Sequence, residues 1–192
     1  MRQSYFTEKV RDEVLRRVAP TPQLIVAEIG CGTGFLAEAF VPRVGEVHCV
    51  DVSAGILDEA RKHLAAYPST RFHRADGSSL PLPTGSVDAA VTNMYLHHTA
   101  DPAAAIRELA RILRPGERLV LTDMDAHDET WMRAELADVW LGFARSDVQG
   151  WLTEAGLASA EVDCVGQECR ADRPTGGRAA ISVFVASGQT LA

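Results

Sequence analysis

Three glycines on alternate positions, Gly30, Gly32 and Gly34, follow an apolar run at residues 24–27 and an acid, Glu28. Glycine lets the backbone turn tightly and approach a ligand closely, because it carries no side chain. Loops that bind dinucleotides have the spacing G-x-G-x-x-G, and phosphate loops end in G-K-[ST], whereas this loop has neither. The spacing therefore predicts a ligand-binding loop that does not hold a pyrophosphate.

Two further carboxylates end predicted strands and could reach a ligand held by this loop. Asp51 follows the glycines by about twenty residues, a position from which a carboxylate can accept both hydroxyls of a ribose. Asp76 ends the next strand, in position for an adenine amino group. Asp51 could instead cap a helix or be solvated, and Asp76 could be a turn residue before Gly77. The glycine loop at the right offset favours the ribose role of Asp51.

Histidines follow the later strands, where a base or a cation ligand would be useful. His97 and His98 come after the fourth strand, and His127 lies in the acidic stretch 123–128. A histidine pKa near ~6.5 suits a base at neutral pH, and carboxylate with imidazole can bind cations. The alternatives are a structural His97, a surface His98 and a solvated acidic loop. We keep His97 and His127 as candidate catalytic residues and expect no metal site.

The elements that position these residues alternate between strands and helices. Helical spacing of apolar residues is found at residues 4–18 and again after the N-cap candidates Ser53 and Asp101, while Pro115-Gly116 should end the helix that Asp101 starts. The strand-like runs are residues 24–29, 47–50, 71–75, 87–92, 119–122, 159–165 and 179–186. Such alternation predicts an α/β fold, a doubly wound, mostly parallel seven-stranded sheet with helices on both faces. The last two strands have no helix between them and should form an antiparallel hairpin at the sheet edge.

Composition narrows the class of protein. The chain has 192 residues and a net charge of −7, which fits one domain and argues against a nucleic-acid partner. The first residues are charged throughout and lack the apolar segment of a signal peptide, and no apolar run has the length of a membrane span. The four cysteines show no CxxC spacing, which argues against a disulfide framework or zinc site. We expect a cytoplasmic protein without a membrane partner.

Four motifs in order resemble those of a known family. They are Glu28-Ile29-Gly30-Cys31-Gly32-Thr33-Gly34, Asp51-Val52-Ser53, Ala75-Asp76 and Leu113-Arg114-Pro115-Gly116. They are similar to the motifs of class I S-adenosylmethionine-dependent methyltransferases, and the resemblance covers residues 24–124. The small-molecule branch, methyltransferase type 11 with the ubiquinone-biosynthesis and arsenite enzymes, looks nearest. The resemblance implies a Rossmann-like sheet with an antiparallel last strand.

The same resemblance implies cofactor contacts. Glu28 and the glycine loop, Cys31 included, would hold the methionine end of S-adenosylmethionine. Asp51 would hold the ribose. The adenine would lie between Val52, Asp76 and Gly77, and Asn93 and Met94 would add contacts after the fourth strand.

These motifs lead to an expected activity and an expected division of the chain. The chain should be a single domain, 1–192, that methylates a small molecule by in-line displacement. Residues 1–20, with Tyr5 and Phe6, would form a lid helix, 24–124 the cofactor core, 125–145 a helical substrate cover carrying Trp131 and Trp140, and 146–192 the C-terminal helix and hairpin. A homodimer could complete the pocket.

Rival functions are a regulatory protein that binds the cofactor with little turnover, and a methyltransferase directed to arsenite or thiols. Nucleic-acid methyltransferases are disfavoured because Asn93 is not followed by Pro-Pro and no Pro-Cys occurs. The loop spacing also disfavours a nicotinamide oxidoreductase.

Overall fold

Seven strands form one sheet in the computed structural model, which describes residues 7–192. The strands are β1 (Ile25–Ile29), β2 (Glu46–Asp51), β3 (Thr70–Arg74), β4 (Val87–Asn93), β5 (Leu113–Met124), β6 (Leu157–Asp172) and β7 (Arg178–Thr190). Their order in the sheet is β3-β2-β1-β4-β5-β7-β6. The pairs among β1 to β5 are parallel, and β7 runs antiparallel to both β5 and β6. The predicted fold class, including the antiparallel last strand and edge hairpin, is confirmed.

Helices cover both faces of this sheet. They are α1 (Glu8–Val18), α2 (Ala37–Phe40), α3 (Ala54–His63), α4 (Pro102–Ile112), α5 (Met132–Glu135) and α6 (Arg145–Glu154), and a 3-10 turn spans Leu96–His98. Apolar residues of α1, α2 and α3 share one buried cluster with alternate strand residues. Those of α4 and α6 share the other cluster, on the opposite face. Each strand residue therefore packs against the helices of one face only, as the period of two requires.

Two helix starts form as their sequences predict. The Ser53 hydroxyl accepts a hydrogen bond from the Ile56 amide at 3.3 Å, and Asp101 Oδ1 accepts one from the Ala104 amide at 2.9 Å. Pro102 then occupies the first turn of α4, where its missing amide hydrogen costs nothing. Both caps anchor helices that follow directly from the loops at the carboxyl ends of strands.

Two predicted boundaries are wrong. Helix α4 ends at Ile112 rather than at Pro115-Gly116, and β5 begins at once, with Leu113 paired to Val87 before a register shift. Arg114 precedes a proline, which disfavours helical backbone, so the chain turns into the sheet earlier than expected.

The segment 131–143 is also less helical than expected, since only Met132–Glu135 forms a helix. Ala137 and Gly142 adopt left-handed backbone, with φ of 59° and 67°. The Val139 and Trp140 amides donate to the His97 carbonyl, each at 3.0 Å, instead of to a helix of their own. Tertiary hydrogen bonds thus fix this segment on the turn that follows β4.

The hairpin is longer than the sequence predicts and projects beyond β5. Residues 183–189 of β7 pair with β5 and the Ser182 carbonyl accepts from the Asp125 amide just past it, whereas residues 178–181 pair with β6 alone among the strands. The projecting part lies past the carboxyl end of β5, the edge where the loops of a parallel sheet gather. Arg173 Nε, next to the hairpin turn, donates to Glu129 Oε2 at 2.9 Å. The hairpin is therefore joined to the segment that follows β5.

Helix α1 packs on the sheet through Val10, Val14 and Val18, which are almost fully buried. Arg17 ties it to the hairpin, donating to the Ser187 hydroxyl at 2.7 Å. Tyr5 and Phe6, on which the predicted lid depends, lie outside the described residues. Within residues 7–192, no helix has the length and apolar character needed to cross a bilayer.

Candidate functional site

The glycine loop joins β1 to α2 at the carboxyl edge of the sheet. Gly30, Gly32 and Gly34 all have left-handed backbone, with φ of 67°, 54° and 91°. A Cβ on Gly30 would lie 2.5 Å from Tyr95 Cδ2, and one on Gly34 would lie 3.0 Å from Leu64 Cδ1. A Cβ on Gly32 would meet no described atom within 4 Å. Packing explains the first and third glycines, while Gly32 leaves bare backbone facing open space.

Glu28, near the end of β1, holds the far end of the glycine loop, where α2 begins. Its side chain is buried, and it accepts hydrogen bonds from the Leu36 amide at 3.3 Å and the Ala37 amide at 2.7 Å. Burial raises the pKa of the Glu28 carboxyl to about 8, against the lowering effect of these amides. Both carboxylate oxygens are engaged by the chain itself, so Glu28 fixes the start of α2. A direct ligand contact of Glu28 stays a prediction.

Asp51 links the glycine loop to the end of β2. Its Oδ2 accepts from the Gly32 amide at 3.0 Å and its Oδ1 from the Ser53 amide at 2.9 Å. The side chain is only partly buried, so each oxygen retains acceptor capacity. Val52, the next residue, is an apolar side chain that is 60% exposed. A carboxylate and an exposed apolar side chain thus stand beside the bare backbone of Gly32.

Tyr95 lies between the loop that follows β1 and the loop that follows β3. A Cβ on Gly77 would lie only 1.9 Å from Tyr95 Oη, so Tyr95 requires a glycine at this position as well as at Gly30. Burial raises the pKa of the Tyr95 phenol to about 12. Asp76 accepts from the Ser78 amide at 2.9 Å, which forms the turn, and it remains exposed. The predicted site did not include Tyr95.

Asn93 ends β4, the strand that neighbours β1 in the sheet. Its Oδ1 accepts from the Thr122 hydroxyl at 2.7 Å, while its buried Nδ2 has no partner within residues 7–192. A buried donor without a partner carries a desolvation cost that a ligand acceptor would remove. Met94 follows with a left-handed backbone, φ 51°, and its amide donates to the Thr122 carbonyl. This turn directs the chain from β4 toward the histidines.

His97 is held by the carboxylate that ends β5. Its Nδ1 lies 2.7 Å from Asp123 Oδ1, and its amide donates to Asp123 Oδ2 at 3.3 Å. Burial lowers the pKa of the His97 imidazole, but the charge and hydrogen bond of Asp123 outweigh it, so the pKa is raised overall. The Nε2 atom of His97 faces Asp138, 3.8 Å from Oδ1. No sequence pattern singles out Asp138, which lies in an irregular segment.

The acidic stretch 123–128 does not converge on one point. Asp123 is engaged by His97, and Asp125 is paired with Arg145 through two hydrogen bonds of 2.7 and 2.6 Å. His127 Nδ1 accepts from the Glu129 amide at 3.2 Å, and burial lowers the pKa of its imidazole. These groups are therefore engaged separately, while the buried Nε2 of His127 has no partner among the described residues. They do not come together as one cluster of ligand atoms.

Comparison with known proteins agrees with this geometry. Residues 27–121 match the family model described as "Methyltransferase domain". An "O-methyltransferase" of Pyrenophora dematioidea is 36% identical over 127 residues, 64% of this chain and 47% of that protein. A "Demethylmenaquinone methyltransferase" of Clavibacter sepedonicus is 32% identical over 108 residues, 56% of this chain and 44% of that protein. The matched region therefore spans about half the length of these relatives.

A solved structure extends the likeness to the whole fold. A "SAM dependent methyltransferase from Aquifex aeolicus" superimposes with a TM-score of 0.71 at 18% identity. The superposition covers 99% of this chain and 93% of that one. At this identity the likeness concerns the fold, and it includes the hairpin strands that the family model leaves out.

Proposed function

Because the chain belongs to the class I methyltransferase family, we propose that it transfers the methyl group of S-adenosylmethionine to a small-molecule acceptor. The observation that carries the proposal is the open backbone of Gly32 beside the Asp51 carboxylate, at the ends of adjacent strands β1 and β2. In a doubly wound sheet, ligands bind at this edge. The dinucleotide alternative is disfavoured by the loop spacing.

The residues at this edge fit an adenosine cofactor. Asp51 offers acceptor oxygens suited to ribose hydroxyls, and the exposed Val52 would lose its contact with water against an adenine ring. The unpartnered Nδ2 of Asn93 could donate to the amino-acid end of the cofactor. The contacts predicted for Glu28, Gly30, Cys31, Gly34, Met94, Asp76 and Gly77 remain part of the proposal.

The protein would act by holding two reactants in line and excluding water. When bound, S-adenosylmethionine supplies a methyl group on a sulfonium, which is already a strong electrophile. Proximity and orientation can contribute ~7–11 kcal/mol to lowering such a barrier. The binding site for the methyl acceptor would be formed by the turn after β4, the segment after β5 and the projecting hairpin. Trp131 and Trp140 lie on the segment after β5.

The two candidate bases differ in the lone pairs that they can offer. His127 Nδ1 accepts a hydrogen bond, so in the neutral ring Nε2 carries the hydrogen and would donate rather than accept. His97 Nδ1 faces a carboxylate and carries a hydrogen, so a base at His97 would act through Nε2. Of the two, His97 is the better candidate, and an acceptor without a proton to lose needs neither.

We also propose a cellular compartment, a substrate class and an oligomeric state for the enzyme. All four cysteines are free thiols, which supports a reducing compartment such as the cytoplasm. Cys31 in the glycine loop and Cys49 in β2 are both buried, which does not support arsenite as the acceptor. The net charge of −7 supports a small-molecule substrate rather than a nucleic acid. A homodimer stays a prediction, which size-exclusion chromatography with light scattering would check.

The test is calorimetric titration of the full chain with S-adenosylhomocysteine. We expect binding to the wild type that weakens by ~1–3 kcal/mol in Asp51→Asn, because hydrogen bonds to a charged acceptor are lost. Asp58→Asn is the matched control, since Asp58 is exposed on α3 and pairs only with Arg61 among its described neighbours. Wild type that fails to bind, or equal affinity in Asp51→Asn, would contradict the proposal. Methyl transfer to a panel of phenols, quinols and amines then separates an enzyme from a regulatory protein.

A further inference from the structure

A buried carboxylate lies between two histidines on the turn after β4. The Asp138 side chain is 2% exposed, and its Oδ1 atom is 3.8 Å from His97 Nε2 and 3.8 Å from His98 Nδ1. Its other oxygen, Oδ2, is buried and finds no hydrogen-bond partner in the described part of the chain. Both 3.8 Å separations exceed hydrogen-bond length. A buried carboxylate is costly unless it is paired or coordinates a metal.

His97 is oriented as metal-binding histidines usually are. Its Nδ1 is 2.7 Å from Asp123 Oδ1, and Asp123 is fully buried. Such a carboxylate fixes the tautomer that leaves the lone pair on Nε2, and it makes the ring a stronger ligand. The free nitrogen of His97 therefore faces the unpartnered carboxyl of Asp138.

The separations are close to those of a coordination shell. Ligand atoms of His97, His98 and Asp138 all lie within 4.8 Å of one another. Bonds of about 2.0–2.2 Å in tetrahedral geometry place neighbouring ligand atoms roughly 3.3–3.6 Å apart. The two 3.8 Å pairs that involve Asp138 need to close by about half an ångström or less around an ion, and the His97–His98 pair by at most about 1.5 Å. The contact of His98 Nδ1 with the Ala137 carbonyl, at 3.3 Å, is long and could be given up.

We propose that His97, His98 and Asp138 bind one divalent transition-metal ion, such as Zn²⁺, with a coordination position left open. Two histidines and one carboxylate form a common ligand set for such ions. The His98 side chain is 46% exposed, so the ion can enter and the open position faces solvent. His127 is not among the ligands, because its nitrogens do not belong to the group of ligand atoms that lie within 4.8 Å of one another.

The proposal does not depend on methyl transfer, and an ion bound to His97 Nε2 would occupy the lone pair that a base at His97 needs. The three ligands belong to the turn after β4 and to the segment that covers it, so a bound ion would join the two. Their connection at present consists of hydrogen bonds, including those from the Val139 and Trp140 amides to the His97 carbonyl. An ion would therefore stiffen the side of the site opposite the glycine loop.

The experiment measures Zn²⁺ binding to the full chain after dialysis against a chelator. We expect one ion per chain by calorimetry, and visible d–d absorption when Co²⁺ replaces Zn²⁺. His98→Ala and Asp138→Asn should each weaken Zn²⁺ at least tenfold, since loss of a supporting group alone typically costs 10–100-fold. Zn²⁺ should also raise the unfolding temperature of the wild type more than that of His98→Ala, whose exposed side chain can be removed without disturbing the core.

Two matched controls exclude other histidines. His63 is exposed on α3 and lies 3.3 Å from Glu38, so His63→Ala should leave Zn²⁺ affinity unchanged. His48 and His73 touch at 2.9 Å on neighbouring strands and are the strongest rival pair. The proposal is overturned if millimolar Zn²⁺ does not bind. It is equally overturned if binding survives in both His98→Ala and Asp138→Asn or is lost in His73→Ala.

Discussion

Gly32→Ala separates ligand contact from folding in the glycine loop. Gly32 has φ 54°, and an added Cβ would meet no described atom within 4 Å. The substitution therefore introduces no clash, and the Gly32 amide can still donate to Asp51. The new methyl group would stand in the space that we assign to the methionine end of the cofactor.

Gly32→Ala should change the free energy of unfolding and the affinity for S-adenosylhomocysteine by separate amounts. Left-handed backbone at a residue with a Cβ costs roughly 1–2 kcal/mol, which should appear in the free energy of unfolding. Gly116 supplies the matched control, since it has φ 79°, is equally open, and lies near the amino end of β5, away from the site. Gly32→Ala and Gly116→Ala should lose similar stability, and only Gly32→Ala should weaken S-adenosylhomocysteine, by at least tenfold, about 1.4 kcal/mol.

Urea unfolding and calorimetric titration of the three proteins measure the two quantities separately. If Gly32→Ala binds S-adenosylhomocysteine as tightly as Gly116→Ala, the open space above Gly32 is not the cofactor site. If both variants lose affinity equally, the loss comes from stability rather than from contact.

Three further predictions concern groups that shape the site. Gly77→Ala should lower the free energy of unfolding by more than the strain of roughly 1–2 kcal/mol, because the Cβ would meet Tyr95 Oη at 1.9 Å, and adding Tyr95→Phe should restore part of the loss. Asp101→Ala should lower it by about 0.5–2 kcal/mol through loss of the cap on α4, measured by urea unfolding. Burial raises the pKa of Glu28 from 4.5 to about 8, so the folded state holds a proton that the unfolded state has lost between these values. Stability should therefore fall as pH rises from 4.5 through 8, and Glu28→Gln should remove that part of the slope.

Each of the three predictions for Gly77, Asp101 and Glu28 would be contradicted by a specific result. Additive losses in Gly77→Ala and Tyr95→Phe would show that the two residues do not press on each other. Asp58→Ala, an exposed aspartate within α3, is the control for Asp101→Ala, and equal small effects would remove the cap argument. An unchanged pH slope in Glu28→Gln would place the titrating group elsewhere.

The strands and the cofactor edge were predictable because their signals are local. The apolar run that ends at Asp51 and the caps at Ser53 and Asp101 depend on neighbouring residues only, and the structure reproduces them. The third strand forms where it was predicted but ends at Arg74, two residues before Asp76. The contacts predicted for the cofactor were inferred from the family resemblance, and they stay predictions until binding is measured.

The binding site for the methyl acceptor was less predictable because distant contacts shape it. The segment around Trp140 has helical composition, yet its amide donates to His97, more than forty positions earlier in the chain, and its indole donates to Thr99. Asp138 becomes notable only once the fold brings His97 and His98 beside it. The length of the hairpin likewise reflects pairing between β6 and β7 beyond the end of β5, which no short sequence pattern encodes.

The projecting hairpin has an evolutionary consequence. Its outer residues, 178–181, pair with β6 alone among the strands, and β6 already accommodates two register shifts. Residues can therefore be gained or lost in the hairpin without moving β1 or β2. The glycine loop and Asp51 belong to the opposite half of the sheet. Selection could therefore change the shape of the acceptor pocket by lengthening or shortening the β6–β7 hairpin. The half of the sheet that would bind the cofactor, around β1 and β2, would be inherited unchanged.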